Sequence, residues 1–270
     1  MLKIAFYILF FTSVAITKMK AVIPDVKTAL LHLNTKKSFI DFNLGLTKAE
    51  KQQLEKIVVR PCDCYDNYGD LSKLVVDLTI YFESLGNDYD SSHKVAISIH
   101  KIVERIVKDL EIESFWLTMR LPNKSDMYNI PRWHTDGYYY PPYKGRVPKV
   151  VFTLKGPTTL FYSASSDDRK VYDEIFYRRV EDQNDYYYGN TIEGRNDLVK
   201  IINNSNVHQP LLQTGTVYIV GDKTSAAIHS EPTIHEDRIF ISIVPGSKKQ
   251  IQELRSRHQN KEYIKPLSKE

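Results

Sequence analysis

The chain has 270 residues, of which 42% are hydrophobic and 26% are charged. This composition is typical of an ordinary folded protein, and the length suits one large domain or one domain with added helices. The 37 basic and 33 acidic residues leave a net charge of only +4. The charge therefore neither indicates nor excludes a nucleic-acid partner.

The N-terminus carries an apolar run over residues 4–16, preceded by "MLK" and followed by two lysines. The run is too short for a comfortable membrane span and has the length of a signal-peptide core. Small residues at positions 13 and 15 allow cleavage after Ala15. We therefore expect residues 1–20 to be a signal peptide or membrane anchor. The alternative is a true start near Met19, and then a cytoplasmic protein.

The cysteines are Cys62 and Cys64, in "RPCDCYDN". A disulfide between residues two apart is strained, and a thiolate metal site needs further ligands. A loop with two ordinary thiols is the favoured interpretation.

The first half of the chain predicts helices. Thr47 and Glu50 form a capping box, so a helix is expected to start at Thr47. Apolar residues recur at helical spacing over 70–85 and again over 92–110. Residues 21–112 are thus expected to be a helical N-terminal region, whose amphipathic helices need an apolar surface to lie on.

The second half predicts short strands, rich in β-branched and aromatic residues, at 114–121, 149–156, 158–162, 215–221 and 238–244. A charged, tyrosine-rich insertion at 163–206, partly helical, separates the third strand from the fourth. Helices followed by many short strands indicate an α+β chain with an antiparallel sandwich or barrel over 113–246, and helices on its outer face. Residues 247–270 form a polar tail that can begin with a helix.

A candidate metal site begins in "WHTDG" (133–137). In an extended segment residues i and i+2 project to the same side, so His134 and Asp136 can address one point. Alone, the pair is a weak signal, because Asp-Gly also marks turns.

A second segment, "HSEPTIHEDR" (229–238), offers a third ligand. It is expected to run from a strand end at His229, through a loop, to a strand that carries Arg238. With His134 and Asp136, His229 would complete the two-histidine, one-carboxylate triad typical of non-haem Fe(II) oxygenases. His235 is a rival ligand, but it lies too close to Arg238 for a turn and an opposing strand.

These motifs resemble the Fe(II)/2-oxoglutarate-dependent dioxygenase superfamily. "HSEPTIHEDR" is similar to the prolyl-hydroxylase-like branch, and "WHTDGYYYPP" is similar to the phytanoyl-CoA-hydroxylase-like branch. The resemblance covers roughly residues 115–245 and implies a double-stranded β-helix, also called a jelly roll or cupin-like fold. It implies Fe(II) on His134, Asp136 and His229. It also implies that Arg238, with Ser242, binds the far carboxylate of 2-oxoglutarate.

The implied reaction is hydroxylation or demethylation of a substrate that is a small molecule or a protein side chain. Residues expected around the site are Arg120, Trp133, Tyr138, Tyr139 and Tyr140, although the tyrosines can equally fill the barrel. Two other hypotheses remain open: a cupin-like metal protein that does not use 2-oxoglutarate, and a jelly-roll binding module without turnover. A buried cation at Arg238 favours the first hypothesis, because 2-oxoglutarate requires it.

Overall fold

The computed structural model describes residues 23–34, 37–61, 63–137, 139–140, 147–180 and 183–259. The helices are α1 Val26–His32, α2 Lys48–Lys56, α3 Leu71–Ser84, α4 Tyr89–Asp109, α5 Ser166–Phe176, α6 Ile192–Ile201 and α7 Lys248–Gln259. The strands are β1 Phe39–Asn43, β2 Asp63–Tyr68, β3 Ser114–Leu121, β4 Val147–Lys155, β5 Leu160–Tyr162, β6 Arg179–Val180, β7 Gln183–Tyr187, β8 Val207–His208, β9 Thr214–Val220, β10 Ile228–Ser230 and β11 Ile239–Gly246.

A six-stranded antiparallel sheet forms the centre, in the order β1-β9-β4-β11-β3-β2. Successive residues of a strand point to opposite faces of a sheet. On β11, Ile239, Ile241 and Ile243 join one large apolar cluster, whereas Phe240 and Val244 belong to clusters on the other side. The sheet therefore has an outer, apolar face and an inner face.

Helices α1 to α4 contribute to the outer cluster together with that face of the sheet. Thr47 caps α2, and the reciprocal capping box with Glu50 is present. The predicted helices over 70–85 and 92–110 are confirmed as α3 and α4. α4 begins earlier than expected, because the Asp88 side chain caps it.

The expected helical region over 21–112 also contains two strands. β1 and β2 lie within it and form the two edges of the central sheet. β1 pairs with β9 and β2 pairs with β3, both across long separations in sequence. Such pairing is decided by partners far along the chain, which local periodicity does not reveal.

A smaller sheet, in the order β10-β5-β8, lies beside the inner face of the large one. β5 and β10 contribute Tyr162 and Ile228 to a second apolar cluster with α5 and α6 from the 163–206 insertion. The insertion also holds the β6–β7 pair. The expected C-terminal helix is α7, whose Ile251 and Leu254 pack with Trp116 and Val244 at the other end of the inner face.

Some expectations fall outside the described residues: the N-terminal segment 1–20, Cys62 and Tyr138. Cys64 lies on β2 as an exposed free thiol. Among the helices of the described ranges, none is both long enough and apolar enough to span a membrane.

Candidate metal centre

Three predicted residues come together where the two sheets meet. His134, Asp136 and His229 each offer one ligand atom, and these atoms lie within 4.8 Å of one another. His134 and Asp136 lie in the segment between β3 and β4, and His229 lies on β10. The folding of the chain thus joins the two motifs that the sequence separates.

The main chain fixes the two histidines directly opposite each other. The His134 N–H donates to the His229 carbonyl at 2.8 Å, and the His229 N–H donates to the His134 carbonyl at 2.9 Å. This isolated antiparallel bridge leaves the imidazole centroids 4.2 Å apart. The spacing of the two rings is therefore set by backbone hydrogen bonds.

Each imidazole has a defined tautomer. Nδ1 of His134 lies 2.8 Å from the Arg132 carbonyl, and Nδ1 of His229 lies 3.1 Å from the Ala227 carbonyl. A carbonyl oxygen only accepts, so both Nδ1 atoms carry the proton and both Nε2 atoms keep a free lone pair. Backbone carbonyls that orient ligand histidines in this way are a regular feature of metal sites.

The Asp136 carboxylate is held by two donors. Lys149 Nζ donates to its Oδ2 at 2.8 Å, and the Tyr218 hydroxyl donates to the same oxygen at 2.7 Å. Nε2 of His229 lies 3.7 Å from that oxygen. The Asp136 carbonyl accepts from the Gly221 N–H at 2.9 Å, so both main chain and side chain are anchored.

Burial and charge set the protonation states. Burial raises the pKa of Asp136, but the nearby Lys149 ammonium and the imidazoles outweigh burial and hold that pKa well below its usual range. Burial, with His134 beside it, lowers the pKa of His229 to about 4. At neutral pH the site therefore presents a neutral imidazole and an ionised carboxylate, the states in which these groups bind metal.

A half-buried ion pair supports the His134 side of the site. Arg132 Nε donates to Glu231 Oε2 at 3.2 Å, and its Nη2 donates to Oε1. Burial raises the pKa of Glu231, but His134 and Arg132 reverse this and lower it to about 2. Because Arg132 also supplies the carbonyl for His134 Nδ1, the pair stabilises the segment that orients this ligand.

The donor set fits a first-row divalent metal. Such ions bind imidazole nitrogen and carboxylate oxygen at about 2.0–2.2 Å, so small side-chain movements would bring the three atoms onto one ion. Two histidines and one carboxylate leave several coordination positions open, which is the pattern of non-haem Fe(II) oxygenases. The residues present therefore fit Fe(II).

Arg238 is buried, with 5% of its surface exposed, immediately before β11. Its Nε donates to the Pro157 carbonyl at 2.8 Å, and its Nη2 lies 3.4 Å from Thr159 Oγ1. Burial lowers its pKa to about 10. Gly156 has φ +81°, and a Cβ there would lie 2.4 Å from the Asp237 carbonyl oxygen, so glycine permits this close approach.

Ser242 lies on β11, opposite Thr118 of β3 and Val151 of β4, and is buried. It shares the inner face with Phe240, over whose ring the Arg238 guanidinium lies at 4.6 Å. The predicted pair of Arg238 and Ser242 is therefore on the side of the sheet that faces the smaller one.

Two of the residues expected at the entrance, Trp133 and Tyr140, are buried in apolar layers. Trp133 is buried with Tyr162 and Tyr172 in the cluster beneath the smaller sheet. Tyr140 packs against α7, and its hydroxyl donates to the Pro245 carbonyl at 3.0 Å. Both residues neighbour the ligands in sequence, but their side chains fill apolar layers, which is the alternative that aromatic residues allow.

Arg120 keeps its place as a candidate. It lies on β3 between Cys64 and Phe240, and it is exposed. No hydrogen bond or ion pair joins its guanidinium to another described residue, yet its positive charge partly opposes the burial that raises the pKa of Tyr139 and of Tyr218. Arg120 therefore lies on the same side of the sheet as the Asp136 cluster.

Other histidines have separate partners. His208 Nε2 lies 2.7 Å from Asp41 Oδ2, and His258 Nδ1 lies 2.8 Å from the Tyr68 hydroxyl. The rival ligand His235 is exposed and lies outside the three-residue group. The choice of His229 over His235 agrees with this geometry.

The sequence did not reveal Lys149 and Tyr218. They face each other across β4 and β9, and both reach Asp136. A lysine at the start of a strand is usually solvent-exposed, so the only available signal was its alternation with Val147 and Val151 on one face. The alternation identifies a buried lysine only when the pairing of β4 with β9 is known.

A cavity of about 970 Å³ lies on the other side of an aromatic wall from the site. It is lined in part by Phe39, Asp41 and His208, and it does not include the three ligands. Phe39 stacks on Phe161 at 4.9 Å, and Phe161 stacks on the His229 ring at 5.9 Å. These rings separate the cavity from the metal-binding atoms.

No protein-family model matches the chain, and no curated protein matches it. Solved structures match the chain. A Pseudomonas putida prolyl-4-hydroxylase is 11% identical, with a TM-score of 0.35, over 82% of this chain and 97% of that chain.

The 2-oxoglutarate complex of dioxygenase for auxin oxidation 1 from Arabidopsis thaliana is 8% identical, with a TM-score of 0.40, over 83% of this chain and 92% of that chain. A third neighbour is a Trichoplax adhaerens prolyl hydroxylase bound to a peptide of the hypoxia inducible factor oxygen degradation domain. It is 10% identical, with a TM-score of 0.36, over 84% of this chain and 91% of that chain. Two of these neighbours are prolyl hydroxylases and the third is a dioxygenase.

Proposed function

We propose that the chain is an Fe(II)- and 2-oxoglutarate-dependent oxygenase, a hydroxylase or demethylase. The observation that carries this proposal is the convergence of two free imidazole lone pairs, from His134 and His229, with the ionised carboxylate of Asp136. These three residues would hold the iron. Bound iron, with 2-oxoglutarate and O2, supplies the oxidising power to attack an unactivated C–H bond.

Arg238, with Ser242, is proposed to bind the far carboxylate of 2-oxoglutarate. A planar guanidinium matches a carboxylate better than an ammonium does. Arg238 is buried and forms no ion pair with another described residue, so its charge is available to an anion. Its contacts with Pro157 and Thr159 fix its orientation.

The two sheets are proposed to be the halves of a double-stranded β-helix. The inner face of the six-stranded sheet and the β10-β5-β8 sheet enclose Phe161, Tyr218 and Phe240. The rings of Phe161 and Tyr218 exclude water from the wall beside His229, which strengthens the electrostatic interactions of the site. Arg120 is proposed to contact substrate, because it is an exposed cation on the same face.

The test is an anaerobic titration of the purified chain with Fe(II) and 2-oxoglutarate. The expected result is a weak visible charge-transfer band that requires both components. Replacing both His134 and His229 by Ala should abolish the band. Slow conversion of 2-oxoglutarate to succinate without added substrate should follow once O2 is admitted.

The matched control replaces His208 and His235 by Ala, since both lie outside the group of three ligands. This variant should keep the band. A band that is missing from the wild-type chain, or that persists in the His134→Ala, His229→Ala variant, contradicts the proposal.

A second candidate is a cupin-like metal protein that does not use 2-oxoglutarate. It is favoured by the engagement of Arg238 Nε and Nη2 with the protein itself. The variant Arg238→Met separates the two. Under the first proposal it loses 2-oxoglutarate binding but still binds Co(II), whereas under the second both properties match those of the wild type.

A further inference from the structure

The ammonium of Lys149 binds the same carboxylate oxygen that lies nearest to His229. Lys149 Nζ is 2.8 Å from Asp136 Oδ2, and His229 Nε2 is 3.7 Å from that oxygen. A metal held by Asp136 and His229 would therefore lie close to this ammonium. In the metal-free chain, Lys149 provides the positive charge that Asp136 requires.

Lys149 has no other anionic partner among the described residues. Its Nζ donates to the Tyr139 hydroxyl at 2.7 Å and lies near the Tyr139 and Tyr218 rings, at 5.2 and 5.7 Å from their centroids. The side chains of Lys149 and Asp136 are only 11% and 18% exposed. Water therefore screens this pair weakly, and the loss of either charge leaves the other poorly compensated.

Asp136 and Lys149 balance each other's charge when no divalent cation is bound. Lys149 neutralises Asp136 through a direct ion pair. A divalent cation adds two positive charges beside the ammonium, in a place where like charges repel strongly. Balance returns when a dianion binds as well.

We propose that Lys149 is an internal counter-ion that competes with the divalent metal for Asp136 and thereby couples metal binding to the binding of an anionic co-ligand. This inference rests on the proposed function, because it takes His134, Asp136 and His229 as the ligands. When Asp136 turns to a metal, Nζ keeps its hydrogen bond to Tyr139 and needs a new anion. A carboxylate at the open positions supplies it.

Co(II) alone and Co(II) with 2-oxoglutarate are the probes, followed by calorimetry and by the visible absorption of bound Co(II). In the variant Lys149→Met, Co(II) alone should bind at least about tenfold more tightly than in the wild type, since the competing charge is absent. The factor by which 2-oxoglutarate tightens Co(II) binding should fall by a similar amount.

Lys155→Met is the matched control. Lys155 is on the same strand, but its Nζ donates to the Ile57 carbonyl, away from the site. This variant should match the wild type in both measurements. Lys149→Gln removes the charge while keeping a polar end, and it replaces Lys149→Met in the same titrations if that variant does not fold.

An unchanged Co(II) affinity in the Lys149 variants, or an unchanged effect of 2-oxoglutarate, overturns the inference while leaving the proposed function intact. If neither the wild type nor any variant binds Co(II), the proposed function itself fails. Binding that is lost in the His134→Ala, His229→Ala variant shows that the measured site is the one described.

Discussion

The two faces of the central sheet are built by the same strands and have opposite chemistry. On β3, Leu117 and Met119 point into the apolar layer beneath α3 and α4, whereas the hydroxyl of Thr118 and the charge of Arg120 lie on the other side. On β9, Val217 faces the helices, and Tyr218 reaches Asp136.

The two faces of the sheet have different roles, one in stability and one in the metal site. The outer face buries apolar area, which is the main source of folding free energy. The inner face holds buried polar and charged groups, whose burial costs free energy unless they are paired. Single substitutions should therefore affect either the stability or the metal site, depending on which face they reach, and a few should affect both.

Asp136→Asn should have the largest effect, because it affects both. It leaves the Lys149 ammonium buried without a counter-charge, and breaking such a pair from one side typically costs about 3–5 kcal/mol. Urea unfolding should show a loss of this size, and Co(II) binding should be lost. The double variant Asp136→Asn, Lys149→Met should recover much of the stability. If its loss of unfolding free energy equals the sum of the losses in the two single variants, the two residues do not interact as a pair.

Ile241→Ala tests the outer face alone. Ile241 is fully buried in the large apolar cluster, and truncation at such a site costs about 3 kcal/mol. Co(II) affinity should not change.

Its neighbour Ser242 provides the contrast: Ser242→Ala should change the free energy of unfolding by less than about 1 kcal/mol but weaken 2-oxoglutarate binding. If Ile241→Ala and Ser242→Ala changed stability and ligand binding in the same way, the two faces of the sheet would not have separate roles.

Thr47→Ala should lower the free energy of unfolding by about 1 kcal/mol, the usual cost of losing an N-cap. The Thr47 hydroxyl accepts from the Glu50 N–H at 3.2 Å, and Glu50 Oε2 accepts from the Thr47 N–H at 2.8 Å. Because α2 belongs to the outer layer, Co(II) affinity should stay constant. Thr47→Ser keeps the cap and should stay close to wild type in the same urea titration.

The smallest effect is expected at His208, which joins the smaller sheet to β1 through Asp41. The hydrogen bond to Asp41 raises the pKa of His208 above 6.5. The contribution to stability is then fully present below pH 6.5 and is lost as the pH rises through the folded-state pKa. Unfolding of His208→Gln, compared between about pH 6 and pH 8, should lack this part of the wild-type pH dependence. If the free energy of unfolding depends on pH to the same extent in both proteins, the His208–Asp41 pair does not contribute to the pH dependence.

Local sequence features predicted the helices and the ligand triad well. Capping residues and 3.6-residue periodicity act over a few positions, so α2, α3 and α4 appear near their expected places. The i, i+2 spacing of His134 and Asp136 is likewise local. The partner His229 was found because its motif stands beside a strand with a strong pattern.

Features that depend on distant pairing were missed. β1 and β2 are short, and their pairing with β9 and β3 appears only in the folded chain. Trp133 and Tyr140 neighbour the ligands in the sequence, but in the folded chain their side chains lie in apolar layers. The role of Lys149 cannot be predicted from its local sequence, because its carboxylate partner Asp136 comes from another segment.

The reciprocal main-chain bridge between His134 and His229 has a consequence for chemical complementation. Because the backbone pairing does not involve the side chains, a single His229→Ala variant should keep its strand position and leave a hole of imidazole size opposite His134. Phe161 and Tyr218 line that hole on two sides. Free imidazole added to the solution should enter it, take the place of the missing ring beside Asp136, and restore Co(II) binding in proportion to its concentration.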